Sequence, residues 1–99
     1  MGIRKDIREV FRTNLKYYRI ENKLTQEDLA FKADLTDKYL SDLERGLFSP
    51  SLEKLDCLAE ALNIDTYLLL KYDESHRNVP NRLDKVTGTR KSKKKFWYI

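Results

Sequence analysis

Residues 24–46 read LTQEDLAFKADLTDKYLSDLERG, and this stretch decides the architecture. Thr25 stands where a hydroxyl accepts a free backbone N–H at a helix start, and Asp28 three residues on makes a weaker relative of the capping box. Leu29 and Ala30 face inward, and this helix is predicted to stop near Lys32. Ala33, Asp34 and Leu35 form a tight turn, because Asp tolerates the left-handed backbone that such turns often need. Thr36 caps the next helix, which runs to Arg45, with Leu40 and Leu43 on its buried side and Gly46 as its stop signal. A connection of three or four residues sets two helices at roughly 90–120°. The second helix then projects an outer face of Asp37, Lys38, Ser41, Asp42 and Arg45. A face of this kind can enter a duplex major groove, which is about 12 Å wide.

Upstream, Ile3, Ile7, Val10, Phe11, Leu15 and Tyr18 recur at helical spacing among charges, predicting one amphipathic helix over roughly 3–22 that Asn22 and Lys23 end. Downstream, residues 47–50 form a loop and Ser51 caps a fourth helix, with Leu52, Leu55, Leu58, Ala59 and Leu62 on one face. Asn63 breaks it, and Asp65 is expected to cap a short fifth helix from Thr66 to about Leu70. The expected fold is all-α: five helices in residues 1–72, the first extended at its N-terminus, followed by a basic tail over 73–99. That tail holds few apolar side chains and four lysines within 91–95, yet it closes on Phe-Trp-Tyr-Ile at 96–99. The lysines fit a solvated tail or a DNA-contacting arm equally well, and residues 96–99 fit a docked latch or a free end.

A chain of 99 residues is enough for one domain with a modest core. Only 3 Gly and 2 Pro occur, so most of it can be helical. The formal charge of +4 is unevenly placed. Residues 71–99 carry 9 Lys/Arg against 3 Asp/Glu, whereas residues 24–70 carry 4 against 10. An anionic partner fits the ends of the chain better than its middle. Cys57 is alone, which rules out an internal disulfide and fits a reducing compartment; it reads as a small helix residue near an interface. His76 stands beside Ser75 and Arg77 without metal partners at usable spacing and is expected to be exposed. The tyrosines read as core rims and phosphate donors. No signal-peptide run, membrane-length apolar stretch, Gly-rich phosphate loop or Ser/His/Asp arrangement with local support stands in the sequence. The expectation is a cytoplasmic, nucleoid-associated protein that is not an enzyme and uses no cofactor, metal or membrane.

The stretch from Leu15 to Ile64 resembles the Cro/CI-type (XRE, lambda-repressor-like) helix-turn-helix family. The resemblance reads through Leu15, Arg19, Leu24-Thr25-Gln26, Leu29-Ala30, Leu43-Glu44-Arg45-Gly46, Pro50-Ser51-Leu52 and Leu58-Ala59, and covers about residues 11–70. Its short length and KYLSDLERG style also resemble the controller proteins of restriction–modification systems.

The resemblance implies a DNA-binding transcriptional regulator with roles by position. Gln26 opens the second helix, where family members hold a phosphate and brace the reading helix. Asp37, Lys38 and Asp42 fall where base edges are met. Thr36, Tyr39 and Ser41 fall where phosphates are met, although the outer face also places Ser41 among the base readers. Lys38 can donate to guanine O6/N7, and Asp37 or Asp42 can accept from cytosine N4. Lys16, Arg19, Gln26, Thr36, Tyr39 and Arg45 are the expected phosphate contacts, which position without reading sequence. Glu44 is expected to pair with Arg45 or to cap structure. The family often has Gly where Lys23 and Asp34 stand, so Asn22 or Asp34 is expected to take the left-handed conformation.

One short reading helix is little for specificity, so a homodimer on a pseudo-palindromic duplex is expected, with half-sites about 34 Å apart. Ile64, Tyr67, Leu68 and Leu70 are its expected interface. The acidity of residues 24–70 keeps a second reading open: a protein-interaction module, an antitoxin or anti-repressor, on the same fold.

Overall fold

The computed structural model describes residues 6–78, the side chain of Asn78 excepted. Four α-helices run in order, α1 (Ile7–Glu21), α2 (Gln26–Ala33), α3 (Asp37–Glu44) and α4 (Leu52–Leu62), followed by 3-10 helices Thr66–Leu70 and Glu74–Asn78. No strand occurs among the described residues.

Each helix starts on a side-chain cap. Asp6, Thr25, Thr36 and Ser51 are extended and accept the N–H of Arg8, Asp28, Tyr39 and Lys54 respectively. Asp6 sets the start of α1 at Ile7, because its extended backbone (ψ 115°) cannot continue a helix. At Thr25 the bonding is reciprocal: its Oγ1 accepts from Asp28 N–H and Asp28 Oδ2 accepts from Thr25 N–H, each at 3.0 Å.

The four helices also end alike. Lys23, Asp34, Gly46 and Asn63 have φ of 58°, 61°, 80° and 60°. The residue after each donates back five positions, Leu24 to Arg19, Leu35 to Ala30, Leu47 to Asp42 and Ile64 to Ala59, at 2.8–3.1 Å. This closes the orphan carbonyls of the last turn. Asp34 takes the left-handed conformation as expected; at the first turn Lys23 takes it, while Asn22 stays at φ −88° and folds its amide onto Tyr18 O.

The core forms where these faces meet. Phe11 and Leu15 from α1, Leu29 and Ala30 from α2, Leu40 and Leu43 from α3, and Leu55, Leu58, Ala59 and Leu62 from α4 close around Leu69. Ile7 and Leu52, expected on inner faces, are exposed, because each is the first residue of its helix and lies beyond the neighbours that cover the next turns.

The expected fifth α-helix is a five-residue 3-10 helix, and Asp65 makes no side-chain cap bond there. Thr66 Oγ1 donates instead to Asp56 Oδ1 at 2.9 Å, tying this segment to α4. Leu69 is its buried anchor, while Tyr67 and Leu70 are exposed and Ile64 and Leu68 half-buried. Packing continues past 72: the second 3-10 helix lies against α1. Residues 91–95 and 96–99 fall outside the described residues, and so does the part of α1 expected before Asp6.

No helix among the described residues is long and apolar enough to cross a membrane.

Candidate nucleic-acid interface

The two helices of the deciding stretch are bolted together from behind. Arg19 of α1 donates from Nε to Glu44 Oε2 at 2.7 Å and from Nη2 to Oε1 at 3.0 Å, and its Nη1 donates to Leu24 O. Gln26, the first residue of α2, donates from Nε2 to the same Glu44 Oε1 at 3.0 Å. Three helices therefore converge on one carboxylate at the end of α3. The Arg19 side chain is 0% exposed and that of Glu44 4%. A two-pronged ion pair out of water fixes angle as well as distance.

This corrects two sequence expectations. Arg19 was assigned to phosphate, but its guanidinium is enclosed and faces Glu44 and a carbonyl. Glu44 was expected to serve Arg45 or a cap, but it serves Arg19 and Gln26. Among the described residues Arg19 is the largest fully buried side chain, and a carboxylate of opposite charge at the end of α3, Glu44, is the signal that pairs with it.

The outer side of α3 differs from its sequence in sign. Asp42 is 4% exposed, and both of its oxygens are engaged. Lys38 Nζ donates to Oδ2 at 3.2 Å and Arg45 Nη1 to Oδ1 at 3.3 Å, from one turn before and one turn after. Asp42, expected among the base readers, is thus buried with both oxygens turned to Lys38 and Arg45, and it orients those two side chains instead. The two cations remain open, with side chains 83% and 63% exposed. A helix with three acidic residues from 37 to 45 therefore offers Lys38 and Arg45 to its surroundings, with Asp37 as the one open carboxylate of α3 among the described residues.

The remaining expected residues ring this face. Thr36 is exposed, with Oγ1 accepting from Tyr39 N–H at 3.0 Å. Ser41 and Tyr39 are half-buried, and the Tyr39 ring stacks near Phe48 with centroids 6.1 Å apart. Phe48, in the loop that follows α3, is half-exposed beside it. Lys16 lies half-buried on α1.

A second cluster was missed by sequence. His76, expected to be exposed, is 6% exposed. Its ring stacks on Tyr17 at 3.6 Å and meets Tyr18 edge-on at 5.3 Å. Asn14 Nδ2 donates to Leu69 O and Lys71 O at 2.9 Å and leans on Leu68 O at 3.2 Å. That leaves Asn14 Oδ1 as acceptor toward His76 Nδ1 at 2.7 Å, so Nδ1 carries the proton. His76 Nε2 lies 3.4 Å from Asp73 Oδ2. Asp73 is held below the usual carboxylate range, first by the Ser75 hydroxyl and N–H and then by His76 and Lys71. The signal was Asn14, a polar residue on the apolar side of α1 between Phe11 and Leu15.

Cys57 is exposed on α4. Among the described residues no three His, Cys, Asp or Glu side chains are placed to hold a metal ion.

Comparison with known proteins fits this geometry. The helix-turn-helix family model matches residues 15–69. An immunity repressor protein of Bacillus phage phi105 is 50% identical over 50 residues, half of this chain but 35% of that protein. The control protein C.BamHI of Bacillus amyloliquefaciens is 34% identical over 68 residues, 68% of this chain and 84% of the relative. The crystal structure of the restriction–modification controller protein C.AhdI of Aeromonas hydrophila superposes with a TM-score of 0.61 at 35% identity, over 63% of this chain and 90% of that one. With its family model spanning more than half the chain, this protein belongs to the helix-turn-helix family of Cro/CI (XRE) type.

Proposed function

We propose that this chain is a DNA-binding transcription regulator that reads duplex sequence with the outer face of α3 as a homodimer on a pseudo-palindromic site. One observation carries the reading: α3 is fixed from behind by Arg19, Glu44 and Gln26 while Asp37, Lys38 and Arg45 stay open in front. A helix held that rigidly loses little freedom on docking. Lys38 donates to guanine O6/N7, and Asp37 accepts from cytosine N4. Ser41 lies between them, and Asp42 aims the Lys38 and Arg45 side chains. Thr36, Tyr39, Gln26, Lys16 and Arg45 meet phosphates, with Phe48 steadying the Tyr39 ring.

Exposed Tyr67 and Leu70, with half-buried Ile64 and Leu68, are the proposed dimer surface. Names among the relatives, a control protein and an immunity repressor, support regulation of a restriction–modification system or a repressor role. The test is selection of binding sites from a random duplex pool, followed by gel shift of the wild type and Lys38→Ala. Loss of selectivity in the variant supports the reading. Equal affinity and equal selectivity refute Lys38 as a base contact. Absence of duplex binding at about 50 mM salt, where phosphate attraction is strong, would favour the protein-interaction module instead.

A further inference from the structure

A groove of about 300 Å³ opens beside the reading unit, between α1 and the second 3-10 helix. Arg12, Lys16 and Arg77 line it together with Glu9, Thr13 and Glu44, and the buried ring of His76 closes its side. Glu44 is already matched by Arg19. Arg12 and Arg77 then face one carboxylate of the lining, Glu9, which leaves the groove net positive. Glu9 meets Arg77 only at 3.9 Å, with both side chains nearly half exposed. Such an exposed pair is weak and yields readily to a better anion.

Two features make the groove more than a charged face. The Arg12 stem crosses Gly46: a Cβ there would lie 3.1 Å from Arg12 Cδ and 3.2 Å from Nε. The missing side chain at Gly46 leaves the room that the Arg12 stem occupies. His76 fixes the other wall, because its stacking on Tyr17 and its bond to Asn14 clamp the segment that bears Arg77. The position is also telling. Arg12, Lys16 and Arg19 stand at i, i+4 and i+7 on α1, and Arg19 ends beside Gln26 at the start of α2 through Glu44. The two groove-lining cations of that row, Arg12 and Lys16, therefore lead away from the helix start where a backbone phosphate is expected, while Arg19 stays buried on Glu44.

We propose that this groove is a phosphate-oxyanion site that takes a DNA backbone phosphate flanking the base pairs read by α3, with Arg12 and Arg77 as contacts additional to Lys16. The proposal rests on the regulator reading above. Each phosphate neutralised steepens the salt dependence of log K by about 0.9. With the full-length chain and a selected duplex, Arg12→Gln and Arg77→Gln each flatten that slope by about 1 and weaken binding equally across sequences. Arg12→Lys keeps the slope, which separates lost charge from lost packing, and Lys32→Gln, at the far end of α2, serves as the charge control and leaves it unchanged.

A double variant Arg12→Gln/Arg77→Gln that binds duplex with the wild-type slope overturns this inference while leaving the reading helix intact. A wild-type chain with no duplex affinity overturns both. Inorganic phosphate, titrated at constant ionic strength while the Arg Nε–H resonances are followed, separates the sources. Saturation by free phosphate with an unaltered duplex slope would assign the groove to a small phosphate-bearing ligand and overturn the DNA assignment.

Discussion

Replacing Glu44 by Gln changes one oxygen for an NH2 at the point where three helices meet. In the native chain Glu44 accepts two bonds from Arg19 and one from Gln26. A glutamine accepts at one oxygen only, and its NH2 then faces a donor from Arg19 or Gln26. Arg19 stays a full cation because a guanidinium does not release its proton in a protein. Its side chain is 0% exposed, so solvent screening offers no relief. Breaking such a buried pair on one side costs about 3–5 kcal/mol. A domain of this size is stable by about 5–15 kcal/mol in total. At about 4–8 °C per kcal/mol the expected fall in Tm is roughly 12–40 °C. Far-UV circular dichroism during thermal and urea unfolding reads this directly. The double variant Arg19→Met/Glu44→Met removes both charges and is expected to recover most of the loss. A Glu44→Gln cost below about 1 kcal/mol, the worth of an exposed pair, would refute the buried bracket as the strut of α3.

Three further outcomes follow from other sites. Gly46→Ala forces a side chain onto φ +80° and against the Arg12 stem; it is expected to cost about 1–2 kcal/mol in chemical denaturation, and an unchanged midpoint would contradict the geometry. Asn14→Ala leaves the His76 Nδ1–H and the carbonyls of Leu69 and Lys71 without their partner; a loss of about 1–3 kcal/mol is expected, with faster hydrogen exchange around residues 68–78, whereas exchange unchanged there would contradict the cluster. Asp73 is held below its ordinary value of 3.8. The stabilisation it gives the Ser75 turn is therefore complete above that pH and fades as pH falls through the lower folded value, so an NMR midpoint for Asp73 at or above 3.8 would count against it.

Much of the fold is written locally. Thr25, Thr36 and Ser51 are capping residues by chemistry, and each caps as its type dictates. Leu55, Leu58, Ala59 and Leu62 sit at helical spacing and are buried accordingly. What escaped depends on partners distant in sequence. Arg19 reads as a surface cation until Glu44, 25 residues away, is brought beside it. His76 reads as exposed until Asn14, 62 residues away, turns its oxygen toward it. Lys23 escaped for another reason: lysine has no intrinsic taste for φ 58°, and the turn imposes it because Leu24 must donate to Arg19 O. The acidic look of α3 misled because sequence counts charges without pairing them. Asp42 is neutralised by Lys38 and Arg45 on its own helix, at spacings of four and three that were visible in the chain. The fifth helix was half legible: Leu69 anchors it, but five residues between Asp65 and Lys71 close only 3-10 bonds.

The central claim is that the open side of α3 meets the duplex. Amide chemical-shift mapping of the labelled full-length chain, titrated with a duplex selected from a random pool, tests it most directly. The largest changes are expected at Asp37, Lys38 and Ser41, with a second set at Thr25 and Gln26. Changes confined to α4 and the Thr66–Leu70 segment, with α3 silent, would contradict it.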